Sequence, residues 1–290
     1  MVRRSEVRIG VSGWRYTPWR GQFYPVGLPQ KDELAHLATI FPTVEINGTF
    51  YSLQVPDSFR QWFDATPDDF VFAVKGPRFL THMKRLRDPV APLANFMASG
   101  VLRLGRKLGP ILWQFPPSFR FEPERLEGFF EVLPRDTEQA VRLGRQHDHR
   151  LRARAWLRSE SPGPIRHAVE IRHESFRDPA FIALLRRHRI ALVCADTVDW
   201  PLLMDLTADF VYCRLHGASE LYRSAYSERE LSRWAMRVAA WRDGAPMTDG
   251  TFAGRPLARL RRRDVYVYFD NTDKLHAPGD ARTLMQKLGG

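Results

Sequence analysis

The sequence predicts an α/β fold, one (β/α)8 TIM-barrel domain over residues 1–290 with two basic surface insertions. Three observations lead there. Short apolar runs of strand length alternate about eight times with helix-length amphipathic stretches, the mark of a parallel sheet with crossover helices. No GxGxxG or Walker-type loop follows the first run, which weakens an open nucleotide-binding sheet. The length of 290 residues is somewhat above the roughly 250 typical of such a barrel.

The strand-like runs are 8–12 (RIGVS), 43–47 (TVEIN), 70–75 (FVFAVK), 111–115 (ILWQF), 168–173 (AVEIRH), 190–196 (IALVCAD), 210–216 (FVYCRLH) and 265–271 (VYVYFDN). Each is rich in β-branched or aromatic residues and short enough for a buried strand. Helical patterns fill 31–41, 57–65, 92–108, 122–133, 137–157, 179–188, 228–241 and 281–288. Pro56-Asp57 and Asp178-Pro179 supply first-turn prolines and caps. The segments 144–164 and 243–263 are longer connections, rich in Arg, Gly and Pro. The strand pattern resumes after each, so they read as surface insertions rather than interdomain linkers.

Alternation along a strand sets which side chains enter the barrel. The outer face packs on helices and must be apolar. Val44 and Ile46 therefore face out, and Glu45 and Asn47 face in. The same rule sends Glu170 and Arg172 inward, then Tyr212, Arg214 and His216, then Tyr266, Tyr268 and Asp270. Lys75, Gln114 and Asp196 end their strands, and Gly10 and Ser12 leave room on the first. Ionisable groups inside a packed barrel are costly unless paired. They gather here at strand C-termini, where this fold carries its active sites. A ligand site and a structural salt-bridge network are both compatible with that pattern.

Composition narrows the function classes. Hydrophobic residues make up 44% and charged residues 27%, ordinary for a globular chain. No apolar run reaches the roughly 18–20 residues that span a bilayer. The first residues lack a signal-peptide core, so a cytoplasmic protein with no membrane partner is expected. Cys194 and Cys213 sit in apolar runs without CxxC spacing, the setting of buried, inert thiols. The net charge of +11 favours anionic partners, nucleic acid among them. Arginines spread along the whole chain weaken that inference.

The stretches IGVSGWRYTPWRGQFYP, TVEINGTFY, TPDDFVFAVK, THMKRL, LGPILWQFPPSF, VEIRHESF, VYCRLHG and YVYFDN occur in this order. The chain resembles the YecE-like family, domain of unknown function 72, across essentially its whole length. The resemblance implies a (β/α)8 barrel, in agreement with the strand count, and brings no established reaction. Gly48 stands where the family commonly has serine, and residues 272–276 lack its usual small-residue turn.

The candidate catalytic residues are His216, Asp270, Glu45 and Glu170. Asn47, Lys75, Gln114, Arg172, His173, Asp196, Arg214 and Asn271 are candidate ligand contacts, and Trp14, Tyr16, Tyr51 and Tyr222 are rim aromatics suited to stacking. His82, Lys84 and Arg85 are expected to add positive charge to the rim. Lysine and arginines among the acids oppose a divalent metal and suit a phosphate or carboxylate. No metal or other cofactor is expected. His216 beside Asp270 suits general acid/base work. The expected function is a small anionic or phosphate-containing ligand in an anion-accepting pocket, with acid/base hydrolysis or isomerisation of a phosphate-containing or sugar-like substrate. Two alternatives remain at this point: a non-catalytic nucleic-acid binder using the loop arginines, and a metal-dependent nuclease-like barrel. The anion reading fails if Arg172 and Arg214 are both spent in internal pairs with no open pocket. The oligomeric state is not legible in the sequence.

Overall fold

Eight parallel strands close in sequence order, from β1 to β8 and back to β1. The computed structural model describes residues 5–151, 154–217, 224–247, 249–271 and 276–289. The strands are β1 (Val7–Ser12), β2 (Thr43–Ile46), β3 (Val71–Lys75), β4 (Leu108–Gln114), β5 (His167–Glu170), β6 (Ala191–Asp196), β7 (Phe210–Leu215) and β8 (Asp264–Phe269). Around them run α1 (Glu33–Ala38), α2 (Gly48–Tyr51), α3 (Pro56–Asp64), α4 (Val90–Ala98), α5 (Pro123–Val132), α6 (Thr137–Gly144), α7 (Pro179–His188), α8 (Glu228–Asp243) and α9 (Ala277–Lys287). The ring closes through β1 on β8, with Val7 opposite Val265 and Val11 opposite Phe269.

Two expected helices are shorter than their apolar patterns. The 92–108 pattern splits at Gly100, whose φ of 115° ends the helix, and continues as a 3-10 stretch over Val101–Lys107. A side chain on Gly100 would run into Pro56 and Phe59, so the chain must turn there. The 137–157 pattern stops at Gly144, which lies against Ala98 of α4. Asn95 then binds the Asp148 side chain and backbone, and the Trp156 amide bonds to Ala98. Tertiary contacts override the helical periodicity at that point.

The barrel has two apolar layers. Val44, Ile46, Val211, Cys213, Leu215, Val265, Val267 and Phe269 point outward into the core between sheet and helices. Cys194 and Cys213 are register partners on β6 and β7 and are both buried. Inside, Ala73, Leu112, Ala168, Ala191, Val193 and Ala195 face Tyr212, Tyr266 and Tyr268. Small residues on β3, β5 and β6 make room for large ones on β7 and β8, the interdigitation that fills a barrel. Gly10 serves a different purpose from the one expected. A Cβ there would collide with the Thr43 carbonyl of β2, so the missing side chain lets two backbones approach rather than opening space.

Both basic segments join a helix to the next strand: 144–164 leads from α6 to β5, and 243–263 from α8 to β8. They therefore lie toward the N-terminal ends of the strands. Gly163 and Pro164 line a cleft of 460 Å³ there with Arg8, Arg166 and Tyr266. Among the described residues, no helix is long and apolar enough to cross a membrane.

Candidate functional site

At the opposite, C-terminal ends of the strands the inward positions carry polar groups. β7 delivers Arg214 beside Ala195 of β6 and Tyr268 of β8. The small alanine lets the guanidinium cross the barrel axis. Its Nε donates to Glu45 Oε2 at 3.0 Å, Nη1 to Glu170 Oε2 at 2.6 Å, and Nη2 to Glu45 Oε1 at 3.0 Å and Asp270 Oδ2 at 2.6 Å. The Ser12 hydroxyl and His216 Nε2, both at 3.2 Å, complete the shell. Arginine has five N–H donors in a planar fork, and this shell uses them all.

Three carboxylates thus converge on one fixed cation. Burial pushes the Glu170 carboxyl up, but the Arg214 and Arg172 guanidiniums more than reverse it and hold it well below the usual range. Burial disfavours the charged form of Arg214 too, and Glu170, Glu45 and Asp270 outweigh it. Glu45 is saturated: Ser12 donates to Oε1 at 2.5 Å and Tyr212 to Oε2 at 2.6 Å, besides Arg214. Asn47 donates to the Ser12 hydroxyl at 2.7 Å. His216 lies between two acids, with Nε2 3.5 Å from Glu170 and Nδ1 3.4 Å from Asp270.

Further polar groups lie at the ends of the neighbouring strands. Arg172 follows the end of β5 and donates Nε to Glu170 Oε1 at 2.8 Å. Its guanidinium lies 3.7 Å from the centre of the Trp200 ring, and that ring meets His216 edge-on at 5.5 Å. Lys75 ends β3, only 8% exposed, with Nζ 4.2 Å over the Phe50 ring. Gln114 ends β4 and is 4% exposed. Among the described residues neither the Lys75 ammonium nor the Gln114 amide has a hydrogen bond or ion pair, and neither side chain is wholly cut off from solvent. Burial and the neighbouring Arg214 push the lysine down to about 7, against the pull of Glu45, Glu170 and Asp270. His82 packs edge-on against Phe50 at 5.1 Å, and burial together with Arg172 and Lys75 pushes it down to about 4.

Several expectations need correction. Arg214, expected as a ligand contact, is walled in with no exposed surface, and Arg172 is paired with Glu170, so both arginines are spent in internal pairs and any anion must be held by other groups. Asp196 sits level with Leu215 in the β6–β7 register, the outward parity, and accepts from Trp234 of α8 at 2.8 Å. His173 caps a short 3-10 turn, its Nδ1 accepting from the Ser175 amide at 3.0 Å. Asn271 turns away from the barrel to bind Asp280 of α9 at 2.7 Å. Trp14 is buried against Trp62, and Tyr16 donates to the Ser12 carbonyl. Tyr51 is 69% exposed, and Tyr222 lies outside the described residues. His82, held down by burial, adds no charge near neutral pH. Lys84 pairs with Asp88, and Arg85 with Ser118. Glu45, Asn47, Lys75, Gln114, Glu170, Arg172, His216 and Asp270 remain together. Trp200 was missed because loop residues have no strand parity; its place just beyond the sixth strand was the available signal. Phe50, one of the aromatics after the second strand, proves to be the platform beneath Lys75.

Among the described residues no three His, Cys, Asp or Glu side chains are arranged to hold a metal ion. The geometric reason is plain: Arg214 occupies the point where the three carboxylates converge.

A family model described as "Protein of unknown function DUF72" matches residues 8–290. Among curated proteins, UPF0759 protein YunF of Bacillus subtilis is 27% identical over 125 residues, 41% of this chain and 43% of that protein. UPF0759 protein YecE of Escherichia coli K12 is 25% identical over 170 residues, 59% of this chain and 50% of that one. The matches thus span half or less of these curated relatives. The crystal structure of a DUF72 family protein from Thermotoga maritima superposes with a TM-score of 0.73 at 26% identity, covering 98% of this chain and 100% of that one. Another from Enterococcus faecalis gives 0.68 at 17%, covering 98% and 96%.

Proposed function

This chain belongs to the DUF72 family, which brings no reaction with it, and on that premise we propose that the strand C-termini bind a small anionic ligand, phosphate-containing or sugar-like, and perform acid/base hydrolysis or isomerisation on it. The observation that carries this reading is the contrast between two cations. Arg214 absorbs the negative charge of the three acids and leaves no donor over. Lys75, beside it, is buried without any ionic partner among the described residues. An unpaired buried ammonium is costly, and an anion seated at the mouth would relieve that cost. Gln114, opposite Glu170 in the β4–β5 register, offers a neutral donor and acceptor. Arg172, held by Glu170 and Trp200, adds positive potential at the rim.

The chemistry follows from the proton inventory. A lysine poised at about 7 can give or take a proton at neutral pH, as a general acid or base must. His216, with Nδ1 3.4 Å from Asp270 Oδ2, is the neighbouring candidate for acid/base work. Glu45 and Glu170, spoken for by their hydrogen bonds, act as fixed charges that hold Arg214 and position His216.

Calorimetric titration with inorganic phosphate and with glycerol phosphate tests the reading. Saturable binding is expected, weaker by about tenfold or more in Lys75→Met, the worth of one charge-assisted contact. Affinity should also fall as pH rises through 7, because the ammonium loses its proton. Equal affinity in wild type and variant, or no saturable binding to the wild type, overturns it.

A further inference from the structure

We infer that Lys75 is a nucleophile that forms a covalent imine with a small aldehyde or ketone carrying a carboxylate or phosphate. The inference rests on the anion reading above, since the charged group is what brings the carbonyl to the lysine.

The molecule contains its own control. Lys107 is also buried, 1% exposed, and also lies over an aromatic ring, with Nζ 4.1 Å from the centre of Phe63. Its ammonium donates to the Phe63 carbonyl at 2.6 Å, the Thr66 carbonyl at 2.7 Å and the Thr66 hydroxyl at 3.2 Å. Three donors meet three acceptors, so Lys107 is a structural cation. Lys75 is also buried and also lies over an aromatic ring, that of Phe50, but has none of the acceptors. Its backbone carbonyl is held by the Thr49 hydroxyl at 2.6 Å, which fixes the strand end without engaging the amine.

An amine attacks a carbonyl only when unprotonated, and an apolar pocket beside a cation is the setting that frees its lone pair. Phe50 supplies the apolar wall and Arg214 the cation. The balance is closed without oxidant or reductant. The Lys75 lone pair forms the C–N bond, and the attacking nitrogen passes one of its protons to the carbonyl oxygen to give the neutral carbinolamine. A second proton, taken from solvent, lets that oxygen leave as water, and a protonated imine remains. Its positive charge would stand within the field of Glu45, Glu170 and Asp270, the acids whose charge already acts on Lys75. The adjacent C–H bond then becomes acidic, which suits isomerisation better than hydrolysis.

Reductive trapping decides the matter. The wild-type chain is incubated at pH 7 with pyruvate, dihydroxyacetone phosphate or uncharged acetone, each with cyanoborohydride, and the adduct is mapped by peptide mass spectrometry. Lys31, Lys75, Lys84, Lys107, Lys274 and Lys287 are all the lysines present, so assignment is unambiguous. Lys75 should label about tenfold or more ahead of the exposed Lys31. One or both charged probes should outrun acetone, and the faster one identifies the anionic group. Lys75→Arg should lose the adduct while keeping the fold by circular dichroism. Labelling confined to other lysines, while phosphate still binds by calorimetry, overturns the imine and leaves the anion site standing. Loss of both overturns the two together.

Discussion

Arg214 is the residue on which the site depends. Its guanidinium replaces what could otherwise have been a cluster of mutually repelling acids. Removing one partner of a buried ionic network costs far more than the network contributes, because the others stay behind uncompensated. Arg214→Met should therefore lower stability by about 3–5 kcal/mol at neutral pH. The sign of the pH dependence follows. Without the arginine, burial is left to push the Glu170 carboxyl up, so the deficit grows as pH rises and shrinks as it protonates toward acid. Denaturant melts at pH 7 and in mild acid check both statements; a deficit independent of pH contradicts them. Strand parity had put Glu45, Glu170, Arg214, His216 and Asp270 on one inner face. It could not tell that Arg214 would be saturated, because saturation depends on partners contributed by several other strands.

At the scale of elements the strands were the most legible, since two-residue alternation and β-branched runs survive any packing. The helices were less so. Gly100 and Gly144 end their helices through contacts with α3 and α4 that periodicity does not encode. Parity also ends with the strand: β5 stops at Glu170, and Asp196, read only as the end of its strand, lies on the outer side of β6. Arg172 and His173 thus belong to a loop, and only Arg172 turns back to the site. The β1–β2 seam makes its own prediction. Gly10→Ala would press a methyl group into the Thr43 carbonyl, backbone that cannot swing aside. Overpacking of this kind costs about 1–3 kcal/mol. A fall in melting temperature of several degrees is expected, and an unchanged transition would mean that the seam yields.

Across the whole molecule, the two basic segments and the polar cluster lie at opposite ends of the barrel. The basic segments lie toward the N-terminal ends of the strands, and the polar cluster lies at the C-terminal ends. Arg259, Arg261 and Arg262 are exposed, and none has an ion pair among the described residues. Arg158 and Arg103 instead stack on Trp156, so part of the other segment is committed to packing. If the net charge of +11 attracts nucleic acid, it does so away from Lys75. Replacing Arg259, Arg261 and Arg262 by serine should flatten the salt dependence of any such binding and leave phosphate affinity unchanged; a joint loss of both would place them on one surface. The central claim, a poised lysine facing an anion site, is tested most directly by nuclear magnetic resonance of 13Cε-labelled lysine. Lys75 should titrate with a midpoint of about 7, moving upward when inorganic phosphate is added. A midpoint near the ordinary ~10.4 of a free lysine, indifferent to phosphate, would contradict the account.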